Sequence, residues 1–258
     1  MMRVIVPCVG YGQRFRAAGY TEDKPLIRVC GKHIIEWAVG CLPPDVEVHF
    51  VVRRDQEELR AYLDEVANGW RVHVLDGMTE GAALSVLSVA VGFPKDEPVA
   101  VMNADQWFDC DVAVVESEAE AQHWNGFILT FPGSGPQWSY AVTDDHGFVT
   151  RVLEKIQVGD HATVGFYWWR QAGDLVRAIC RMVAADDRTK GEFYLAPAMN
   201  YTVDNLSRLV KAVPVRKFLG LGTPEQVHHF VSAVERGEVH DAARTATAPL
   251  HGAELGDR

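Results

Sequence analysis

Val4-Ile5-Val6-Pro7-Cys8-Val9-Gly10-Tyr11-Gly12-Gln13-Arg14-Phe15, followed by Asp23-Lys24-Pro25-Leu26-Ile27, is the stretch from which the rest of the chain is read. A run of branched apolar residues enters two glycines, then an arginine, then a lysine held against a proline. The run reads as a buried strand. Glycines leave the backbone amides unobstructed, and exposed amides form a concave site for anions. Arg14 and Lys24 bring positive charge to the same end of the strand. The stretch is therefore read as a phosphate-handling loop, with a plain glycine turn as the alternative. It lacks the third glycine of a dinucleotide fingerprint and the Gly-Lys-Ser/Thr ending of a P-loop.

Outward from this loop, strands and helices alternate. Strands are expected at 3–9, 26–29, 46–52, 72–75 and 99–102, with helices at 33–42, 55–68 and 82–91. Leu59, Leu63, Val66 and Ala67 recur near helical spacing in the second of these helices. That alternation predicts an α/β fold: a Rossmann-like three-layer sandwich with a mixed, mostly parallel central sheet. Ligands in such folds lie beyond the carboxyl ends of the strands. The loop 10–24, the segment 76–81 and Asn103-Ala104-Asp105 all follow strands and converge on that edge.

The second half reads differently. Strands are expected at 126–131, 138–143, 148–154, 164–169 and 209–215, and helices at 171–185, 193–206 and 225–236. Asp144-Asp145-His146-Gly147 predicts a hairpin turn. Pro197 is a candidate break in the 193–206 helix, and Thr223-Pro224 a candidate cap for the last one. There is no repeat and no linker. One domain over 1–240 is expected, with 241–258, Thr245 to Leu250 included, as a flexible tail.

The formal charge of −10 comes from 25 basic and 35 acidic residues. It argues against a general nucleic-acid or anionic-membrane surface while leaving room for a small basic pocket. Cysteines 8, 30, 41, 110 and 180 have no metal-site spacing and read as buried thiols in a reducing compartment. Met1 leads straight into a strand, and no apolar run approaches 18 residues. The expected location is the cytoplasm.

Asp105 follows the strand expected at 99–102. A single carboxylate at a sheet edge beside phosphates suits magnesium, which needs few protein oxygens when phosphates and waters supply the rest. The alternative is that Asp105 caps a helix beginning near Asp109 or Asp111.

These motifs together resemble the sugar nucleotidyltransferase family, the nucleoside-diphosphate-sugar pyrophosphorylases. Gly10-Tyr11-Gly12-Gln13-Arg14-Phe15 and Asp23-Lys24-Pro25-Leu26 match its opening, and Gly31-Lys32 with Ile34-Ile35 the segment after it. Thr79-Glu80-Gly81-Ala82 resembles its base-binding segment and Asn103-Ala104-Asp105 its metal-binding strand end. Glu154-Lys155 resembles the pair that holds the phosphorylated substrate. Ala162-Thr163-Val164-Gly165-Phe166-Tyr167 and Gly222-Thr223-Pro224-Glu225 match later motifs. The likeness runs from residue 3 to about 232.

The resemblance implies transfer of a nucleoside monophosphate from a nucleoside triphosphate to a phosphorylated acceptor, with release of pyrophosphate. Residues 1–125 would hold the nucleotide and 126–240 the acceptor. Arg14, Lys24 and Asp105 would be catalytic, with Asp105 on Mg2+. Val9, Gly10, Gly12, Arg14, Lys24, Thr79, Gly81 and Asn103 would bind the nucleotide. Glu154, Lys155 and Gly165 would bind the acceptor. Tyr140, Tyr194 and Glu192 are further candidates there, with half-buried core aromatics as the alternative for the tyrosines. Trp107, Trp168 and Trp169 read as packing. The acceptor phosphate is already ionised, so no general base is assigned.

Three departures matter. Gly220 stands where the better known members carry a second metal-binding Asp, Gln13 replaces Thr or Ser, and Asp23 replaces a proline. The chain is expected to be the short form without a left-handed β-helix, like members found in capsule and surface-polysaccharide clusters. The base and the acceptor are left open, as is association into a homodimer through the second half. The competing readings are a nucleotide-sugar glycosyltransferase, which would carry Asp-x-Asp rather than Asn103-Ala104-Asp105, and a non-catalytic nucleotide-binding regulator.

Overall fold

The computed structural model describes residues 1–66, 70–206 and 209–239. Its elements are β1 (Arg3–Pro7), α1 (Gln13–Ala17), β2 (Arg28–Val29), β3 (Lys32–His33), α2 (Ile34–Val39), β4 (Glu47–Arg53), α3 (Glu57–Val66), β5 (Arg71–Leu75), α4 (Ala82–Ala90), β6 (Val99–Met102) and β7 (Gln106–Asp109). They continue with α5 (Val112–Ala121), β8 (Gly126–Pro132), β9 (Ser139–Thr143), β10 (Val149–Glu154), β11 (His161–Trp169), α6 (Ala172–Ala184), α7 (Ala198–Leu206), β12 (Val210–Pro214), β13 (Lys217–Gly220) and α8 (Pro224–Glu235).

The fold is the expected α/β sandwich around a mixed sheet. Nine strands follow the order β10-β9-β11-β6-β1-β4-β5, with β8 joining β11 to β12. β6, β1, β4 and β5 are parallel neighbours. β11 joins the second half to the first by pairing antiparallel with β6.

The strand pattern explains the layers. Val4, Ile5 and Val6 are each fully buried. Val4 and Val6 enter one core with Ile34, Leu59 and Phe230, and Ile5 enters the other with Val86, Leu175 and Met199. Burying such a side chain contributes about 1.5–3 kcal/mol, so β1 is held from both faces and its carboxyl end is a firm base for the loop that follows. Trp168 and Trp169 divide between the same two cores, and Trp107 is buried too, as packing requires.

Several expected boundaries shift. Residues 24–26 form a short 3-10 turn rather than the start of a strand, because Pro25 fixes the backbone at its first turn. The 193–206 helix begins only after Pro197. The hairpin turn is present, with Gly147 at φ 75°. β7 and β13 form an antiparallel pair that the sequence pattern did not announce. Cys8 and Cys41 are buried as expected, but Cys30 and Cys180 are exposed. The last two residues of the expected 55–68 helix, and the tail 241–258, lie outside the described residues.

Candidate active site

Four chain segments meet at one edge of the sheet: the loop after β1, the turn after β6, the end of β10 and the turn after β13. They enclose two adjoining cavities. The smaller, about 280 Å3, is lined by Val9, Gly10, Lys24, Thr79, Gly81, Asn103 and Asp105 among others. The larger, about 350 Å3, is lined by Arg14, Gln106, Trp138, Glu154, Lys155, Tyr194, Phe218 and Gln226 among others. Ala82, Asn103 and Asp105 belong to both walls. The turn after β6 is therefore the boundary between the two spaces.

At that boundary the Lys24 ammonium donates to Asp105 Oδ2 at 2.8 Å. Lys24 comes from the 3-10 turn, whose proline pins it in place. Gly12 takes φ 62° as the first residue before α1. A Cβ there would come 3.1 Å from the Lys24 Cβ, so Gly12 acts by letting the loop close on Lys24 and lines neither cavity. Gly10 has open space around it and faces the smaller cavity. Arg14, exposed on α1, borders the larger cavity and not the one that holds Gly10.

Asp105 does not cap a helix. Asp111 caps α5 by accepting the Val114 N–H, while the Asp105 carbonyl accepts Leu221 N–H at 2.8 Å. That bond brings the turn after β13 to the site. A Cβ on Gly222 would lie 2.6 Å from Asp105 Oδ2, and one on Gly220 would lie 2.7 Å from the Gln226 carboxamide carbon. The space at Gly220 is thus filled by Gln226, a neutral side chain rather than a recruited acid. Gln226 sits on the first turn of α8, donates its N–H to the Thr223 cap at 3.2 Å and accepts Gly222 N–H at 2.9 Å. Among the described residues no group of three or more His, Cys, Asp or Glu could hold a metal ion. A magnesium ion carried in on phosphates asks for less, and the Asp105 carboxylate beside the Gln226 carbonyl fits that demand.

At two glycines the space a side chain would take is filled by the protein itself. Gly165, at φ 89° in a bulge of β11, was expected to admit substrate. Instead a Cβ there would lie 2.2 Å from Asn103 Nδ2 and 2.5 Å from Gln106 Oε1. The missing side chain makes room for those two amides, and the Gly165 carbonyl accepts Asn103 N–H at 2.9 Å. Gly81, at φ 133°, was expected to leave space for a base. It lines the smaller cavity, but the space its Cβ would take is already filled by the Phe193 backbone at 2.4 Å. Thr79 folds back onto the Gly81 carbonyl at 2.7 Å.

On the larger cavity, Glu154 is 8% exposed. Burial pushes its carboxyl above the usual range, against the pull of the Ser139 hydroxyl and of Lys155. Ser139 donates to Glu154, and the Lys155 Nζ is 3.9 Å away. Lys155 holds φ 58°, an uncommon conformation for a side chain of this size. Its ammonium bonds the Tyr194 hydroxyl and lies 3.7 Å from the centre of that ring. Tyr194 is therefore a cavity wall, but Tyr140 is not. Tyr140 is fully buried, with its hydroxyl donating to the Gly135 carbonyl at 2.8 Å. Glu192 lines the smaller cavity rather than the larger. Gln106, 2% exposed, lines the larger one, and its Nε2 has no hydrogen-bond partner among the described residues. Neither Gln106 nor Gln226 was singled out from sequence. The only cue was their nearness to Asp105 and to Thr223-Pro224.

A parallel half-sheet with a glycine loop after its first strand, continued by a mostly antiparallel half that walls a second cavity, is the layout of the nucleotidyltransferase fold. Residues 4–159 match the MobA-like NTP transferase domain, and the chain belongs to that family. Its chemistry is NTP-dependent nucleotidyl transfer. The chain is also similar to solved structures. The nucleoside-diphosphate-sugar pyrophosphorylase from Vibrio cholerae RC9 is 22% identical with a TM-score of 0.74, over 89% of this chain and 99% of that one. HddC from Yersinia pseudotuberculosis is 15% identical with a TM-score of 0.67, over 91% and 100%. The inositol-1-phosphate CTP transferase from T. maritima is 14% identical with a TM-score of 0.70, over 92% and 98%. At these identities the likeness shows the fold. No curated protein matches the chain in sequence. No helix among the described residues is long and apolar enough to cross a membrane.

Proposed function

We propose that the chain is a magnesium-dependent nucleotidyltransferase. It transfers a nucleoside monophosphate to a phosphorylated small molecule, a sugar phosphate or a related compound, in the supply of surface-polysaccharide precursors in the cytoplasm. The observation that carries this reading is the pairing of Lys24 with Asp105 where the two cavities meet. A transfer reaction needs two ligands whose reacting atoms lie side by side, and a shared wall bearing one cation and one carboxylate provides that.

In this reading residues 1–125 hold the triphosphate and 126–240 the acceptor. The amides of Val9 and Gly10 and the Lys24 ammonium receive the phosphates in the smaller cavity, with Thr79, Gly81 and Asn103 along its wall. Asp105, with the Gln226 carbonyl beside it, would hold a magnesium ion, whose charge would neutralise that of the phosphates. Lys155 and Tyr194 take the acceptor's phosphate end. The buried Glu154 accepts hydrogen bonds from hydroxyls or an amine on the acceptor. A phosphate oxygen of the acceptor attacks the α-phosphorus, and the bond to the leaving pyrophosphate breaks. Lys24 lowers the repulsion between the approaching anions, and Arg14 meets charge that builds during transfer. No proton has to move, because the attacking oxygen is already ionised.

The test is a grid of nucleoside triphosphates against phosphorylated acceptors, read by pyrophosphate release with and without magnesium. At least one pair should release pyrophosphate only when the acceptor and magnesium are both present. Consumption of a nucleoside-diphosphate sugar, with no pyrophosphate from any pair, would replace this reading with glycosyl transfer.

A further inference from the structure

Behind the glycine loop stands a set of side chains that lines neither cavity. Arg53, the last residue of β4, is 2% exposed, and Gln56 is 1% exposed. The Arg53 guanidinium donates to the Val9 carbonyl and, at 2.8 Å, to Asp55 Oδ1. It also lies 4.0 Å from the centre of the Tyr11 ring. Gln56 donates to the Cys8 carbonyl at 3.1 Å and accepts the Arg53 N–H at 2.8 Å. Arg16 takes the Tyr11 carbonyl at 2.9 Å. The carbonyls of Cys8, Val9 and Tyr11 are thus all engaged by side chains.

In a planar trans peptide the carbonyl and the following N–H point in opposite directions. Holding the Val9 carbonyl on Arg53 turns the Gly10 N–H away from Arg53, and Val9 and Gly10 line the smaller cavity whereas Arg53 and Gln56 do not. Holding the Cys8 carbonyl on Gln56 does the same for the Val9 N–H. Burying a guanidinium is unfavourable unless its donors find acceptors, and here the acceptors are the loop carbonyl and Asp55.

We infer that Arg53 and Gln56 are positioning residues for the nucleotide: they aim the Val9 and Gly10 amides at the phosphates of the triphosphate. The inference rests on the assignment of the smaller cavity to the nucleotide. It makes this anion site a braced one, with the amides set before the ligand arrives, so that little ordering is left to do on binding.

The test uses magnesium complexes of ATP, CTP, GTP, UTP and dTTP, each added separately to the wild-type chain and to Arg53→Met, Arg53→Lys and Gln56→Met. Nitrogen-15 spectra read the Val9 and Gly10 amides, and steady-state kinetics separate the KM for the triphosphate from that for the acceptor. Arg53→Met should weaken the best nucleotide by about 10-fold or more, as expected for losing a charge-assisted bond. Its Gly10 amide should lose the shift seen on adding nucleotide, and its acceptor KM should stay at the wild-type value. Arg53→Lys should recover part of the affinity. Gln56→Met should disturb the Val9 amide, and it carries the test if Arg53→Met fails to fold. Wild-type affinity and wild-type amide shifts in both Arg53→Met and Gln56→Met, or in Gln56→Met alone where Arg53→Met fails to fold, would overturn the inference. A wild-type chain that binds none of the five nucleotides would overturn the cavity assignment along with it.

Discussion

The Lys24 ammonium and the Asp105 carboxylate meet at 2.8 Å although 81 positions separate them in the chain. Each is about one-quarter exposed at the side chain, so the pair is neither buried nor freely solvated. A surface pair of this kind contributes little to stability, about 0–1 kcal/mol. Its placement between two cavities is therefore better explained by binding than by folding. Asp105 holds a cation in the free protein and would hold the magnesium ion in the complex.

From this follows the expectation for Asp105→Asn. The amide keeps the shape and loses the charge. Turnover should fall by about 100-fold or more, because the carboxylate assigned to the metal is lost. The melting temperature should move little. Pyrophosphate-release kinetics together with a thermal melt decide it: an unchanged rate would remove Asp105 from the mechanism.

Gly222→Ala tests the same carboxylate from the other side. The added methyl would lie 2.6 Å from Asp105 Oδ2, so the carboxylate must move. A misplacement of about 1 Å can cost about 100-fold in rate. Turnover and affinity for manganese, read by electron paramagnetic resonance in the presence of nucleotide, should both fall. Full activity with an unmoved Asp105 would contradict the geometry described for the turn after β13.

The motifs carrying Gly10, Lys24 and Asp105 are short enough to read in sequence, and the structure brings these three residues to one cavity while placing Arg14 on the other. What the sequence could not say was which group fills the space a glycine leaves. At Gly165 it is a pair of amides, at Gly81 the Phe193 backbone, and at Gly220 the Gln226 side chain. Those answers come from contacts between distant segments, which periodicity does not carry. β7 and β13 were missed for the same reason: each is four residues long, and they pair 106–109 with 217–220. Tyr140 was misplaced because strand alternation leaves open which face is the cavity and which the core.

Glu154 links stability to recognition. Its raised pKa means that the folded state binds more protons than the unfolded state between the ordinary glutamate range and the raised value. Stability attributable to this group therefore falls as pH rises through that window. Glu154→Gln should raise the melting temperature of the free protein at neutral pH while raising the acceptor KM. In the wild type the acceptor KM should climb as pH falls and Glu154 takes up its proton, and the variant should lack that rise. Melts and KM values across pH 5–8 check both signs; a variant less stable than wild type at neutral pH would contradict the account.

His49 sets an acid limit away from the site. It is 6% exposed on β4, bonded to His73 at 2.9 Å, with Glu47 and Arg3 near and Phe93 against its ring. Burial is the main cause that lowers its pKa to about 4, and the Glu47 charge opposes it. The unfolded chain takes up this proton near pH 6.5 and the folded one only near 4. Stability is therefore lost as pH falls from 6.5 toward 4, on the order of 2 kcal/mol from this group after allowing for relaxation. Urea unfolding at pH 7 and pH 5 should show the difference, and His49→Phe should shrink it. An equal loss in the variant would move the acid sensitivity elsewhere.

The most direct measurement is a crystal structure of the wild-type chain with magnesium and a non-hydrolysable α,β-methylene nucleoside triphosphate. The account predicts phosphates against the Val9 and Gly10 amides, with the α-phosphorus between Lys24 and Asp105 and facing the cavity of Glu154 and Lys155. A triphosphate bound in the larger cavity, or anywhere that leaves Lys24 and Asp105 still paired to each other, would contradict it.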